Sequence, residues 1–251
     1  MSARGIELRL HEDVAHVTLD RGDKANALDA AMLRALCQVF EQARPGGLVV
    51  LRSAMPGLFC AGADIAEFLQ GGLHAQGEAL QGLMAAMDAC PASILAIAGG
   101  RAAGAGFILL ALADVVIASE DAVMAAPEIA FGMYPVLVQA ALEAKIGGAR
   151  ARQLCLSGQA LAAGEARMLG LVTDVLPGDD FASRAEARLS FYLARRAALA
   201  TARHARGLPQ GCLAARIDAM APLMHANFEQ GGVRERISTY LAQLRARRQA
   251  E

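Results

Sequence analysis

The pattern of this chain predicts an α/β core with a helical C-terminal layer, and three observations carry that expectation. Apolar runs of strand length alternate with helix-period segments through the first two thirds. From Asp180 onward only helical periodicity continues. Ile94 to Ala118, ILAIAGGRAAGAGFILLALADVVIA, reads in direct succession as a buried strand, a small-residue turn and a helix apolar on every face. The expected organisation is a core over residues 1–180 and a helical region over 181–251.

The elements follow in order. Ile6–Leu10 and Val14–Leu19 alternate around His11-Glu12-Asp13 as a hairpin. Asp29 is placed to cap a helix with Met32, Leu33, Leu36, Val39 and Phe40 on its inner face. Pro45-Gly46-Gly47 ends that helix, and Leu48–Leu51 is a buried strand. Arg52 to Asp64 reads as a loop, followed by a helix from Glu78 to Ala89 that Pro91 stops. In the central stretch the strand is Ile94–Ala98, the turn Gly99–Gly106 and the helix Phe107–Ala113. Ala122–Ala125 is a further strand, then a loop runs through Glu128, Gly132 and Pro135. Helices are expected at Val138–Ile146, Ala149–Ser157 and Gly164–Leu169, and a last strand at Val172–Leu176. Breaks near Gly207-Leu208-Pro209 and Gly231-Gly232 interrupt the terminal helices, and Arg245–Glu251 reads as a frayed tail.

Composition excludes several functions. With 251 residues, 55% of them apolar, the chain can bury a substantial core. A net charge of −1 argues against nucleic acid, whose phosphates need a basic excess. No signal-peptide pattern opens the chain, and its longest apolar run stops at Asp114, short of the ~20 residues that span a bilayer. Cys37, Cys60, Cys90, Cys155 and Cys212 are scattered and odd in number, as in a reduced cytoplasmic protein. The histidines show no HxxxH spacing, so no metal is expected.

Two small-residue loops could carry chemistry. Ala61-Gly62-Ala63 and Gly104-Ala105-Gly106 each follow a buried strand and could each offer a backbone N–H to one oxygen. Such a donor is typically worth ~3 kcal/mol in an oxyanion hole. On spacing alone the reading that these glycines only allow tight turns is the stronger one. Glu128, set among Met124, Ala125, Ala126, Pro127, Ile129, Ala130 and Phe131, is either solvated by a turn or buried as a general acid or base. Asp64 could cap a helix beginning at Ile65, Asp114 caps or pairs locally, and Tyr134 lines a pocket or packs. His74, His204 and His225 read as surface residues. A dinucleotide site is set aside: Leu109 stands where GxGxxG needs its last glycine, and no acid ends a second strand ~20 residues on.

Several segments in order resemble the enoyl-CoA hydratase/isomerase (crotonase) superfamily. They are FCAGADI at Phe59–Ile65, IAGGRAAGAGFILLALAD at Ile97–Asp114, Asn26-Ala27-Leu28, and Ala126-Pro127-Glu128 followed by Gly132. Ile146-Gly147, Leu156-Ser157-Gly158, Glu165-Ala166 and Gly170-Leu171-Val172 continue the likeness, which runs from Ile6 to Pro177. The resemblance implies a spiral core of ββα repeats, C-terminal helices that build a homotrimer or a dimer of trimers, and an acyl-CoA thioester as substrate. No cofactor is implied beyond the coenzyme A of that substrate. By position, the N–H groups of Ala63 and Ala105 would hold the thioester oxygen, and Glu128 would move the proton. Cys60, Ala61, Gly62, Asp64 and Ile65 would lie along the adenine and pantetheine, Lys24 by the phosphates, and Gly104, Ile108 and Tyr134 by the acyl group.

Two departures bear on the reaction. Hydratases of this family usually carry a second glutamate where this chain has Ile108, and Ala105 replaces the middle glycine of its loop. A single acid suits a double-bond shift, while hydration is the commoner activity of the family. Decarboxylation and non-catalytic CoA binding stand as alternatives.

Overall fold

A computed structural model describes residues 2–3, 5–67 and 73–206. Contacts divide the chain into two compact units, 1–193 and 194–251.

The first unit is built on two sheets. Its strands are β1 (Ser2–Ala3), β2 (Ile6–His11), β3 (Val14–Leu19), β4 (Leu48–Ser53), β5 (Gly57–Cys60), β6 (Ser93–Ala98), β7 (Gly100–Ala103), β8 (Val115–Ser119), β9 (Val123–Ala125), β10 (Leu161–Ala162) and β11 (Asp174–Leu176). Its helices are α1 (Ala30–Glu41), α2 (Ile65–Glu67), α3 (Leu73–Ala89), α4 (Ala105–Leu112), α5 (Val136–Ile146), α6 (Gly148–Ser157), α7 (Ala163–Met168) and α8 (Phe181–Leu193). The second unit contributes α9 (Arg196–Arg206).

The seven-stranded sheet runs β1-β2-β3-β4-β6-β8-β11, and a four-stranded sheet runs β10-β9-β7-β5. In the first, β1, β2 and β3 pair antiparallel, while the strands from β3 to β11 pair parallel. Successive strands therefore alternate between sheets before a helix returns the chain: β4 and β5, then α2 and α3; β6 and β7, then α4; β8 and β9, then α5. This is the ββα repeat that the resemblance implied. Strands β6 and β8 are buried along their whole length, as befits central parallel strands covered on both faces.

Local chemistry explains most elements. Asp29 caps α1 by accepting the Met32 N–H at 2.9 Å. Met32, Leu33, Leu36 and Phe40 are then fully buried against the core that also contains Leu83 and Met87 of α3. Every residue of α4 from Ala105 to Ala111 is buried. Its sequence therefore lacks a polar face, because no face meets water.

Two expectations fail and one strand goes unassigned, each for a tertiary reason. The supposed loop Arg52–Asp64 contains β5, and the supposed turn Gly99–Gly106 contains β7. Both strands are only four residues long, too short for a period to register, and the close approach of two backbones defines their pairing. A Cβ on Gly100 would sit 1.9 Å from the carbonyl carbon and oxygen of Gly57, so only glycine permits this pairing. Val115–Ser119, unassigned after the buried helix, is β8 and pairs with β6 and β11. Smaller differences are that α3 begins at Leu73 rather than Glu78, and β11 spans Asp174–Leu176 rather than Val172–Leu176. The expected breaks near Gly207 and Gly231 and the frayed tail lie outside the described residues, as do Cys212 and His225. No helix of the described residues is long and apolar enough to cross a membrane, and they contain no cluster of three or more metal-ligating side chains.

Candidate active site

The first of the two loops leaves β5 at Cys60. Gly62 takes φ +118, and its oxygen accepts the Leu28 N–H at 2.8 Å. Asp64 N–H returns to the Leu28 oxygen at 2.9 Å. These bonds form a one-residue parallel bridge between Leu28 and Ala63, which leaves the Ala63 N–H turned away from Leu28. That N–H has no acceptor among the described residues. Cys60 sits beneath the loop, its thiol 3.1 Å from the Asn26 oxygen and 3.5 Å from the Gly62 nitrogen. Burial pushes this thiol up to about 12, so it packs rather than reacts.

The second loop leaves β7 at Gly104, whose φ of +49 and ψ of −117 are open only to glycine. Gly104 N–H donates to Ala125 O at 3.0 Å, and α4 begins at the next residue. Ala105 is thus the first residue of a helix buried from Ala105 to Ala111, where the N–H has no intrahelical partner and the dipole favours negative charge. The two loops touch. A Cβ on Gly62 would lie 3.9 Å from Ala105 N, and one on Gly104 would lie 3.7 Å from Gly62 Cα.

Glu128 meets them from the 3-10 helix Pro127–Phe131, which Pro127 opens and Gly132 closes in the left-handed region. Glu128 Oε1 is 2.7 Å from the point that a Gly104 Cβ would occupy. Glu128 Oε2 is buried with no hydrogen-bond partner. Burial raises the carboxyl above its ordinary value, against a smaller opposing pull from its own backbone N–H. A carboxyl whose hold on a proton is strengthened in this way is suited to take up and return one. Two free N–H groups at touching loops can stabilise negative charge on an oxygen. Ile108 faces neither solvent nor a polar partner and is 1% exposed within α4.

The structure therefore brings together Cys60, Gly62, Ala63, Gly104, Ala105 and Glu128. The other expected residues differ in their surroundings. Lys24, Ala61 and Ile65 are exposed. Asp64 Oδ1 accepts the Ala66 N–H at 3.1 Å, the helix-start role its position suggested, but its Oδ2 is also 2.8 Å from Arg21 Nη1. Tyr134 is half-buried, and its hydroxyl donates to Gln139 Oε1. Asp114 corrects a local reading: its Oδ2 accepts the Ile94 N–H at 2.8 Å, tying the start of β6 to the entry of β8 across 20 residues. His204 is exposed as expected. A cavity of about 330 Å³ lies elsewhere, between the β2–β3 hairpin and α1, where Leu8, Val14, Ala35 and Val39 help to line it.

Sequence reasoning missed Arg21, which sits beside this loop system with Asp64 and Asp29. No spacing rule marks it. The one available signal was an arginine directly before Gly22-Asp23-Lys24, between the β2–β3 hairpin and the Asp29 cap.

Comparison with known proteins gives the family. The profile of the enoyl-CoA hydratase/isomerase family matches residues 9–246. A probable enoyl-CoA hydratase of Rhodobacter capsulatus is 33% identical over 199 residues, covering 78% of this chain and 77% of that protein. The 2,3-dehydroadipyl-CoA hydratase of Escherichia coli is 34% identical over 167 residues, covering 65% and 66%. The crystal structure of an enoyl-CoA hydratase from Mycobacterium smegmatis superposes with a TM-score of 0.78 at 28% identity, over 95% of this chain and 96% of that one. The chain belongs to the enoyl-CoA hydratase/isomerase family.

Proposed function

We infer that this chain acts on an acyl-CoA thioester by stabilising its enolate. The thioester oxygen is held between the N–H groups of Ala63 and Ala105, and Glu128 moves the proton. The observation that carries this reading is that the Glu128 carboxylate, its Oε2 buried without a partner, packs at Gly104, where the second loop touches the first at Gly62. Removing a proton α to a thioester puts negative charge on its oxygen, so two donors aimed there act mainly in the transition state.

With a single acid, the reaction that best fits is a double-bond shift. Glu128 takes a proton from C2 of a 3-enoyl-CoA, the charge spreads over the dienolate, and the same carboxyl returns the proton to C4 to give the 2-enoyl isomer. Ile108 favours this reading, because a buried isoleucine offers water no second carboxylate. Hydration is the second reading. Relatives named as hydratases support it, and in it Glu128 alone would orient water. The coenzyme A moiety would lie along Cys60–Ile65, with Lys24 by its phosphates. The acyl chain would lie toward Ile108 and Tyr134. The assembly belonging to this reading is a homotrimer or a dimer of trimers, and light scattering of the purified chain tests it.

The functional test offers crotonyl-CoA and 3-hexenoyl-CoA separately in deuterium oxide and identifies products by NMR. Conversion of 3-hexenoyl-CoA alone to its 2-enoyl isomer supports the double-bond shift. A 3-hydroxyacyl product from crotonyl-CoA shifts the reading to hydration. With neither product, decarboxylation or CoA binding without catalysis takes precedence. Glu128→Gln should lower turnover of whichever substrate reacts by at least about 100-fold while CoA binding survives. Equal activity in that variant would sink the mechanism.

A further inference from the structure

The segment Arg21–Leu28 straps the Ala63 loop from below. Ala25 and Asn26 both adopt the left-handed region, with φ of +53 and +55, an uncommon conformation for two successive non-glycine residues. That turn is held by Asn26, which is fully buried. Its Oδ1 accepts the Arg21 N–H at 2.8 Å, and its Nδ2 donates to Ser53 Oγ at 2.8 Å and Phe59 O at 3.1 Å. Ala61 N–H donates to Ala25 O at 3.1 Å, and Leu28 bonds to both Gly62 and Asp64 as described. The strap and the loop thus share their hydrogen bonds on both sides of Ala63.

One side chain closes this arrangement. Arg21 Nη1 donates to Ala27 O at 2.7 Å and lies 2.8 Å from Asp64 Oδ2, and its Nη2 is 3.4 Å from Asp29 Oδ2. The Arg21 side chain is only 15% exposed and that of Asp64 only 11%. The guanidinium therefore joins the strap at Ala27, the helix cap at Asp29 and the far end of the loop at Asp64. Its planar fork of donors suits this, since a lysine offers one point charge and cannot reach three acceptors in fixed directions.

We propose that Arg21 is a positioning residue for the Ala63 N–H, clamping the Asp64 end of the loop to the strap at Ala27 so that this donor is held at the thioester oxygen. This inference rests on the proposed role of Ala63. Arg21 touches neither substrate nor Glu128 and acts only through the loop. Because a misplacement of ~1 Å in a catalytic group can cost about 100-fold, a guanidinium that fixes the residue next to Ala63 has leverage on rate.

The test compares wild type with Arg21→Met, Arg21→Lys and Asp64→Asn, with Arg44→Met as a control at an exposed ion pair with Asp13. Two readouts are taken: kcat and KM on the substrate that wild type turns over, and the infrared band of the thioester carbonyl of bound, unreactive 13C-labelled butyryl-CoA. Wild type should shift that band to lower frequency on binding. Arg21→Met should lose most of the shift and about 30–100-fold in kcat, with CoA affinity changed less than about 3-fold. Arg21→Lys should recover part of both, and Arg44→Met should match wild type. If Arg21→Met does not fold, the near-isosteric Asp64→Asn reads the same clamp and should move the band in the same direction. A carbonyl band and kcat unchanged in both Arg21→Met and Asp64→Asn would overturn the proposal. A wild type that turns over neither substrate would remove the functional reading while leaving the band to judge Arg21. An unshifted wild-type band would overturn both.

Discussion

The carboxylate of Glu128 rests against Gly104: its Oε1 lies 2.7 Å from where a Cβ on that glycine would stand. The contact joins the end of β7, the start of α4 and the 3-10 helix after β9 at one point. It also means that the acid has been given room by the missing side chain of the loop it faces.

Gly104→Ala tests that fit. The added methyl would collide with Glu128 Oε1 and would force an alanine into φ +49, ψ −117. The expected cost is about 2–3 kcal/mol in urea denaturation, from backbone strain and overpacking. Turnover should fall by more than the loss of folded protein explains, since the carboxylate must move. A variant with wild-type activity and stability would show that the contact is not maintained in solution.

Glu128→Gln carries a stability signature apart from its effect on catalysis. The carboxyl is raised above its ordinary 4.5 by burial, so the folded state prefers the proton. A raised acid costs the folded state nothing below about pH 4.5, and the cost grows as pH rises through the folded value. The neutral amide avoids that cost. Glu128→Gln should therefore melt higher than wild type at pH 8, with the difference shrinking toward zero near pH 4. For a chain of this size, 1 kcal/mol corresponds to about 2–4 °C. A lower melting temperature at pH 8 would contradict the burial of an unpartnered carboxylate.

Asp174 on β11 predicts the opposite pH dependence. Burial pushes its carboxyl up, but Arg188 and Tyr192 more than offset this and hold it below its ordinary 3.8. Arg188 donates to both oxygens, at 2.8 Å and 2.7 Å, and Tyr192 O–H donates at 2.6 Å. The guanidinium also lies 4.4 Å from the Phe191 ring centroid. These bonds tie α8 to the sheet. A depressed acid stabilises the fold above about pH 3.8, and that stabilisation is lost as pH falls through its folded value. Asp174→Asn should cost about 1–2 kcal/mol at pH 7, the partial exposure of Arg188 tempering the figure, and the gap to wild type should close below pH 4. A constant gap across this range would mean that the charge of Asp174 contributes nothing.

The amino-acid sequence by itself determined the α/β class, the β2–β3 hairpin, the Asp29 cap and buried face of α1, the all-apolar α4, and Glu128 as the carboxylate to examine. Each of these is a local matter: a period, a cap or the company a residue keeps within a few positions. The motifs around Ala63 and Ala105 also pointed to the family before any contact was known. Tertiary structure alone decided the rest. Strands β5 and β7 pair because Gly100 lets its backbone approach that of Gly57, and no side-chain period records that. Asp114 serves Ile94 across the sheet rather than its own helix end. Arg21 reaches Asp64 because the left-handed turn at Ala25 and Asn26 folds the strap back beneath the loop. Burial of Glu128 Oε2 and the contact of Oε1 with Gly104 depend on residues 24 positions apart being drawn to one place. Local pattern reports propensity and amphipathicity, whereas charge state, donor direction and close approach are set by the neighbours that folding supplies.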